Sequence, residues 1–495
     1  MRNRFLYLAP VLGYLGHLFW IFGFVLLLPL VVLFLFEGAE RPEVSYLCFV
    51  LPAFISWAIG LYLKYRWGGK GILSSRGSML ICALGWLAIS AVGALPLWMG
   101  LDISYLDAYF EAVSGFTTTG ITMLTGLDYM PRSLLFWRAL IQWVGGLGIL
   151  TFFLAVVFTG SSAQQLFSAE THKIFSERPA PGMFNTLRIL WAIYTGFTLL
   201  IIGLLVLEGM SVYDAVAHSL TCLSTGGYSP YDASIAHYQN AGYAHYAAIE
   251  YTLTFGMLLG GMNFFVHYRV LTGGVEALWD NLEMRLFWGI VAVATLLVAG
   301  NHFLSFGLAE VAETVRHTIF QVVSILTTTG FGTKDIGADY FPALAKQIFL
   351  ILMVIGGCVS STGGGIKVMR IGVLFKMIWR QVRRIIYGPL ATNLVLVEGE
   401  PVDVEEMRRI AALFFAWMVL LVGGGMVTAL FSDYGPMESA SGMFSALGNI
   451  GPCYISVKGM TQLHPVIKIT YIFGMLAGRL EILPVLLLFS RRAWK

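Results

Sequence analysis

Four short stretches decide the fold: Thr117-Thr118-Thr119-Gly120-Ile121-Thr122, Ser224-Thr225-Gly226-Gly227-Tyr228-Ser229, Thr327-Thr328-Thr329-Gly330-Phe331-Gly332 and Gly448-Asn449-Ile450-Gly451-Pro452-Cys453. Each ends or follows a short apolar stretch, at 106–118, 212–224, 312–327 and 438–447. A bilayer span needs roughly 20 mostly apolar residues, so these stretches are too short to cross and read as re-entrant segments. Long apolar spans flank them: 77–98 and 133–158, 187–208 and 246–271, 283–304 and 344–386, 405–431 and 464–489. Glycines 120, 227, 330 and 451 lie 107, 103 and 121 residues apart, in step with that rhythm. The pattern reads as four internal repeats of span, re-entrant loop and span.

Two further spans, 14–36 and 44–63, come first. Arg2 and Arg4 precede the first, but its run is longer than the apolar region of a signal peptide, so it reads as a retained transmembrane helix. The expected fold is an all-α membrane protein of ten transmembrane helices. Its four loops would sit in a pseudo-fourfold arrangement around one pore. The units are 1–70 (leading helices), 71–160, 161–275, 276–390 and 391–495 (pore repeats).

Composition agrees. Of 495 residues, 57% are hydrophobic and only 12% charged, against about 25% charged in soluble domains. That excludes a soluble globular enzyme and a disordered chain. A net charge of +3 over this length offers no face for nucleic acid. The five cysteines (48, 82, 222, 358, 453) form no C-x-x-C pair and signal neither a disulfide framework nor zinc. His17, His218, His267 and His317 lack metal-ligand spacing. With both termini inside, 22 of 31 Lys and Arg fall on the cytoplasmic side, which puts the four loops outside. The acids Asp102, Asp107, Asp128, Asp214, Asp232, Asp335, Asp339 and Asp433 share that outer side, as solvation or as a cation-concentrating vestibule. The basic stretch 376–384 suits anionic headgroups.

Non-helical backbone at membrane depth must be buried in protein or line a water-filled cavity. Glycine lets such a backbone turn its carbonyls inward, where they replace the water around a desolvated cation. The short helices would aim their negative C-terminal ends at the same point. The third repeat's second span is broken by Gly356-Gly357-Cys358-Val359-Ser360-Ser361-Thr362-Gly363-Gly364-Gly365, too glycine-rich for regular helix. Arg479 sits amid apolar residues in the last span. A charge there is functional by default and pairs with carbonyls or a carboxylate. Glu481, two residues on, points to another helix face. Glu208 and Glu250 suit structural pairing with Arg138 or lysines, and Gln142 is pore lining or helix glue.

These residues resemble a family. Phe110-Glu111-Ala112-Val113-Ser114-Gly115-Phe116-Thr117-Thr118-Thr119-Gly120 is similar to the first pore loop of the Trk/Ktr/HKT potassium-uptake superfamily, TrkH type. The other three turns resemble its remaining loops, and Trp143-Val144-Gly145-Gly146-Leu147-Gly148, 357–367 and Gly478-Arg479-Leu480-Glu481 resemble further family segments. The resemblance spans essentially the whole chain.

It implies potassium as transported ion, no cofactor in this chain, and a filter of Thr118, Thr119, Gly120, Thr225, Gly226, Gly227, Thr328, Thr329, Gly330, Asn449, Ile450 and Gly451. It implies a gate of Gly357, Cys358, Ser360, Ser361, Thr362, Gly363, Gly364, Gly365, Lys367 and Arg479. Also implied are a homodimer, a cytoplasmic TrkA-type RCK nucleotide-binding ring, and a bacterial inner membrane. Glycine in all four turns is the pattern of potassium preference; Cys453 departs from the family's usual Gly. The alternative is an ion-coupled secondary transporter driven by protons or sodium, for which two inverted halves would be expected. Enzyme motifs H-E-x-x-H, G-x-S-x-G, G-x-x-x-x-G-K-[ST] and G-x-G-x-x-G are absent.

Overall fold

Among the described residues, six helices are long and apolar enough to cross a bilayer: Leu8–Phe36, Leu47–Trp67, Arg76–Gly100, Asn185–Leu207, Leu282–Phe306 and Val404–Leu430. The computed structural model describes residues 2–36, 44–69, 74–148, 183–388, 394–491 and 494. These six lie within a few residues of six expected spans. Their outward faces are apolar: Phe34, Leu296, Leu304 and Met426 are all exposed, as lipid-facing side chains should be.

The other four expected spans are divided or stop short. Arg132–Gly146 ends in a turn, and 149–158 lies outside the described residues. Tyr246–Gly261 stops at Met262, and Phe264–Leu271 restarts behind Asn263, whose side chain accepts from Phe265 N at 2.9 Å. Ala343–Ile355 and Val368–Tyr387 flank the glycine-rich loop. Pro465–Arg479 ends before Glu481 and Ile482, both at positive φ, and Leu483–Leu487 follows. The sequence reading places a break only in the third repeat.

Close packing accounts for the others. A methyl on Gly145 would lie 1.9 Å from Phe116 O, on Gly260 2.8 Å from Leu223 O, and on Gly478 2.0 Å from Leu447 O. Each of these helices presses its glycine onto the end of a short helix, as small residues allow in membranes. There it gives way to irregular backbone.

The short helices are Tyr105–Phe116, Val212–Leu223, Val311–Leu326 and Pro436–Gly448. The first two start alike. Ser104 Oγ accepts from Asp107 N and Ser211 Oγ from Asp214 N, each at 3.1 Å, satisfying amides the helix leaves free. The first long helix packs on the first short one through Phe22, Phe116 and Trp137, with ring centroids 5.7–6.5 Å apart. One small departure from all-α is the ribbon Leu396–Val397 with Glu400–Pro401, antiparallel, Leu396 opposite Pro401. Glu398 and Gly399 at its tip both have positive φ, the two-residue turn whose twist suits a hairpin.

Candidate functional site

All four short helices end in the same way. The amides of Thr119, Gly226, Thr329 and Ile450 donate to the carbonyls of Ser114, Thr221, Ser324 and Ser445 at 2.8–3.0 Å. The amides of Thr118, Thr225, Thr328 and Asn449 donate to Gly115, Cys222, Ile325 and Ala446 at 3.0–3.4 Å. This is a Schellman ending, which needs a left-handed residue at its turn. That residue is Thr118 (φ 53°), Thr225 (52°), Thr328 (60°) and Asn449 (56°). A β-branched side chain there is strained. The sequence reading assigns the unusual dihedrals to the glycines alone, and three threonines share them. Two residues on, Gly120, Gly227, Gly330 and Gly451 have φ of 80°, 72°, 87° and 107°.

The four turns close on one another in order. A methyl on Gly120 would lie 2.2 Å from Gly226 O, on Gly227 2.0 Å from Thr329 O, and on Gly330 2.0 Å from Ile450 O. On Gly451 it would lie 3.0 Å from Thr119 O, which completes the circuit. All twelve filter candidates lie in this ring. A cavity of about 530 Å³ opens over the four glycines, lined also by Asp232, Asp335, Lys334 and Lys458.

Side chains behind the ring hold it. Gln142 Nε2 donates to Gly226 O at 2.6 Å and its Oε1 accepts from Tyr228 N at 3.0 Å. Gln142 is thus glue for the second turn. His218 Nε2 reaches Ser229 Oγ at 3.1 Å, and His317 Nδ1 reaches Thr333 Oγ1 at 2.8 Å. Ser324 Oγ donates to Phe331 O at 2.6 Å. Of the acids expected as a vestibule, Asp232 accepts from Gly126 N and Leu127 N at 2.8 and 3.1 Å, and Asp107 pairs with Lys468 at 2.5 Å. These two staple chain segments together.

The glycine-rich loop runs from Gly356 to Lys367 against the ring. Thr362 Oγ1 lies 3.2 Å from Thr225 Oγ1 and donates to Leu223 O or Gly260 O. Gly364 N donates to Thr328 Oγ1 at 2.7 Å. A methyl on Gly364 would lie 2.3 Å from Gly448 O, so the loop touches the second, third and fourth turns. Cys358 N donates to Gly261 O at 2.9 Å, Val359 N to the buried Glu283 carboxylate at 2.7 Å, and Ser360 O accepts from Phe264 N at 3.1 Å. Ser361 Oγ donates to Cys358 O at 2.6 Å, and Lys367 Nζ donates to Gly363 O. Ser360 and Lys367 have φ of 56° and 87°, uncommon for residues other than glycine.

Arg479 meets the loop. Its Nη1 donates to Thr362 O at 2.6 Å, and its Nη2 to Gly145 O and Gly146 O, each at 2.6 Å. These three bonds go to carbonyls, one of the two kinds of partner expected for such a charge. Glu481 instead pairs with Arg370 at 2.7 Å. A cavity of about 110 Å³ lies against the loop, lined by Ser360, Ser361, Lys367 and Arg479 among apolar neighbours. The acid pairings need correction. Glu250 pairs with Arg316 at 2.7 Å and Arg138 with Glu111 at 2.8 Å, while Glu208 accepts from Thr252 Oγ1 at 2.6 Å. Cys453 is buried, with Ile455 N donating to its Sγ at 3.4 Å.

Apolar helices around a closed ring of loop backbone define a membrane transport protein. Residues 52–494 match the TrkH family, described as cation transport protein. The Trk system potassium uptake protein TrkH of Escherichia coli strain K12 is 32% identical over 492 residues, covering 97% of this chain and 98% of that protein. The protein of the same name from Halomonas elongata is 30% identical over 502 residues, covering 99% of each. The crystal structure of the potassium transporter TrkH from Vibrio parahaemolyticus superposes with a TM-score of 0.85 at 28% identity, covering 98% of this chain and 99% of that one. The chain belongs to the TrkH family of cation transport proteins, and is a membrane transport subunit, not an enzyme.

Proposed function

We propose that the chain takes up potassium through a single gated pore. Its filter is the carbonyl ring of the four turns, one from each of four repeats, within ten spans. The observation that carries this is the cyclic seating of each turn glycine on a carbonyl of the next turn. An ion on the ring's axis exchanges its hydration shell for those carbonyls. Such a site suits a bare monovalent cation, and carbonyl number and spacing set which one. The Schellman endings and Gln142 hold the spacing before the ion arrives, so little reorganisation opposes its entry.

The loop Gly356–Lys367 is the gate. Arg479 and Lys367 bond its carbonyls and place positive charge on the cation path, where a low dielectric strengthens repulsion. Opening requires those contacts to break. The unit boundaries given above, a homodimer, a cytoplasmic TrkA-type RCK ring as regulator, and an inner-membrane location with both termini inside complete the reading.

The test is ion flux from purified protein in liposomes, with potassium, rubidium, sodium and lithium compared. Preference for potassium and rubidium supports the reading. Equal flux of all four ions, or flux only under a proton or sodium gradient, refutes it.

A further inference from the structure

Behind the first and second turns lies a charged pair that ion binding and gating leave unused. Glu111 and Arg138 are 0% and 1% exposed and lie 2.8 Å apart. Glu111 also accepts from Met123 N at 2.7 Å and Thr122 Oγ1 at 3.0 Å. Arg138 donates to Thr122 Oγ1 at 3.1 Å and Ser229 O at 3.3 Å. Its guanidinium lies over the Tyr228 ring, 4.0 Å from the centroid. The Tyr228 hydroxyl lies 3.0 Å from Glu111 O and 3.3 Å from Ile121 O. Ile121 and Tyr228 directly follow Gly120 and Gly227. One arm of the network therefore holds the exit of the first turn, and the other holds the exit of the second.

Desolvating two charges is costly unless their remaining lone pairs and protons are bonded. Here the network supplies those bonds across two separate loops. The repeat offsets place His218 and then Gln321 at the position of Glu111, so the second and third repeats carry no carboxylate there. His218 meets Ser229 Oγ, and Gln321 reaches Phe331 O at 3.5 Å. Among the described residues, this Glu–Arg strut joins the first turn to the second.

We propose that Glu111 and Arg138 are positioning residues that fix the spacing of the first and second turns and so set the preference for potassium over sodium. This rests on the filter reading above. Arg138 also borders the cavity over the ring, so the two charges act oppositely on arriving cations. An unpaired Arg138 repels them, and an unpaired Glu111 does not.

The experiment uses the full-length protein in liposomes and reads the potassium-to-sodium uptake ratio and the half-saturating potassium concentration. Variants are E111Q, R138Q, the double E111Q/R138Q, Tyr228→Phe and Gly227→Ala. Both single variants should lose ion preference, while only E111Q raises the half-saturating concentration. The double should restore half-saturation but not preference. A double variant with wild-type preference overturns the proposal, because the pair would then only balance charge. If the single variants do not fold, Tyr228→Phe decides, since it keeps both charges and the ring: a reduced ratio supports the strut, and a wild-type ratio overturns it. Lost preference in Gly227→Ala with wild-type ratios in all the others sinks this proposal alone. Wild-type preference in Gly227→Ala sinks the filter reading itself.

Discussion

Gly330→Ala adds one methyl at one of the two tightest contacts of the ring. At φ 87° that methyl would lie 2.0 Å from Ile450 O and 2.9 Å from Pro452 Cδ. Real contacts stay at 3.0 Å or beyond, so the third and fourth turns must separate by at least 1.0 Å, the difference between 3.0 and 2.0. Holding a non-glycine residue in such a conformation costs about 1–3 kcal/mol. If the ring relieves that strain by moving carbonyls, ion preference falls by about 5- to 150-fold, at 1.4 kcal/mol per tenfold. The assay is competitive potassium and sodium uptake in liposomes, with thermal unfolding run alongside to exclude global damage. The contacts also rank the four sites. Alanine at 227 and 330 meets a carbonyl at 2.0 Å, at 120 at 2.2 Å, and at 451 only at 3.0 Å. Gly451→Ala should therefore be the mildest. A Gly451→Ala defect as deep as that of Gly330→Ala, or wild-type preference in Gly330→Ala, refutes the reasoning.

Arg479→Ala should raise resting flux, because it removes both the charge and the bonds to Thr362 O, Gly145 O and Gly146 O. Arg479→Lys should fall between Ala and wild type, since a lysine lacks the planar fork that reaches two chain segments; a Lys variant matching wild type would leave only the charge as important. Deleting one of Gly363, Gly364 and Gly365 should raise flux without changing the order of ions, measured by the same tracer series, and unchanged flux in a well-folded protein argues for a packing role. Gln142→Leu removes a donor from Gly226 O and an acceptor from Tyr228 N. It should cost about 1–3 kcal/mol for buried groups left unsatisfied, seen as a lower unfolding temperature together with weaker ion preference.

The ring was legible because its glycines recur at near-equal spacing with the same short apolar stretch before each. The capping serines 104 and 211 keep that register too. Arg479 was legible as a charge that pairs with carbonyls or a carboxylate, and Glu481 as a poor partner because it lies off that helix face; which of the two it meets came from the packing. Other features were hidden for physical reasons. Gly145-Gly146 stood out only through family resemblance and Gly260-Gly261 not at all, and the close approach of Phe116 O and Leu223 O is what reveals both as helix ends. Gln142 and Gly226 are 84 residues apart, and Glu250 and Arg316 are 66 apart. Such pairings depend on how helices pack, which a hydropathy pattern does not carry. The left-handed threonines stayed hidden because propensity assigns that role to glycine.

If the four turns form one ring that binds a bare monovalent cation on its axis, a heavier analogue of potassium should mark that site. The most direct measurement is a crystal structure with potassium replaced by rubidium, read from anomalous difference density. We expect a peak on the axis, within coordination distance of carbonyls from all four turns, with Thr119, Gly226, Thr329 and Ile450 among them. A ring without any peak, or rubidium bound only at acids such as Asp232 and Asp335 in the cavity above, would contradict the account.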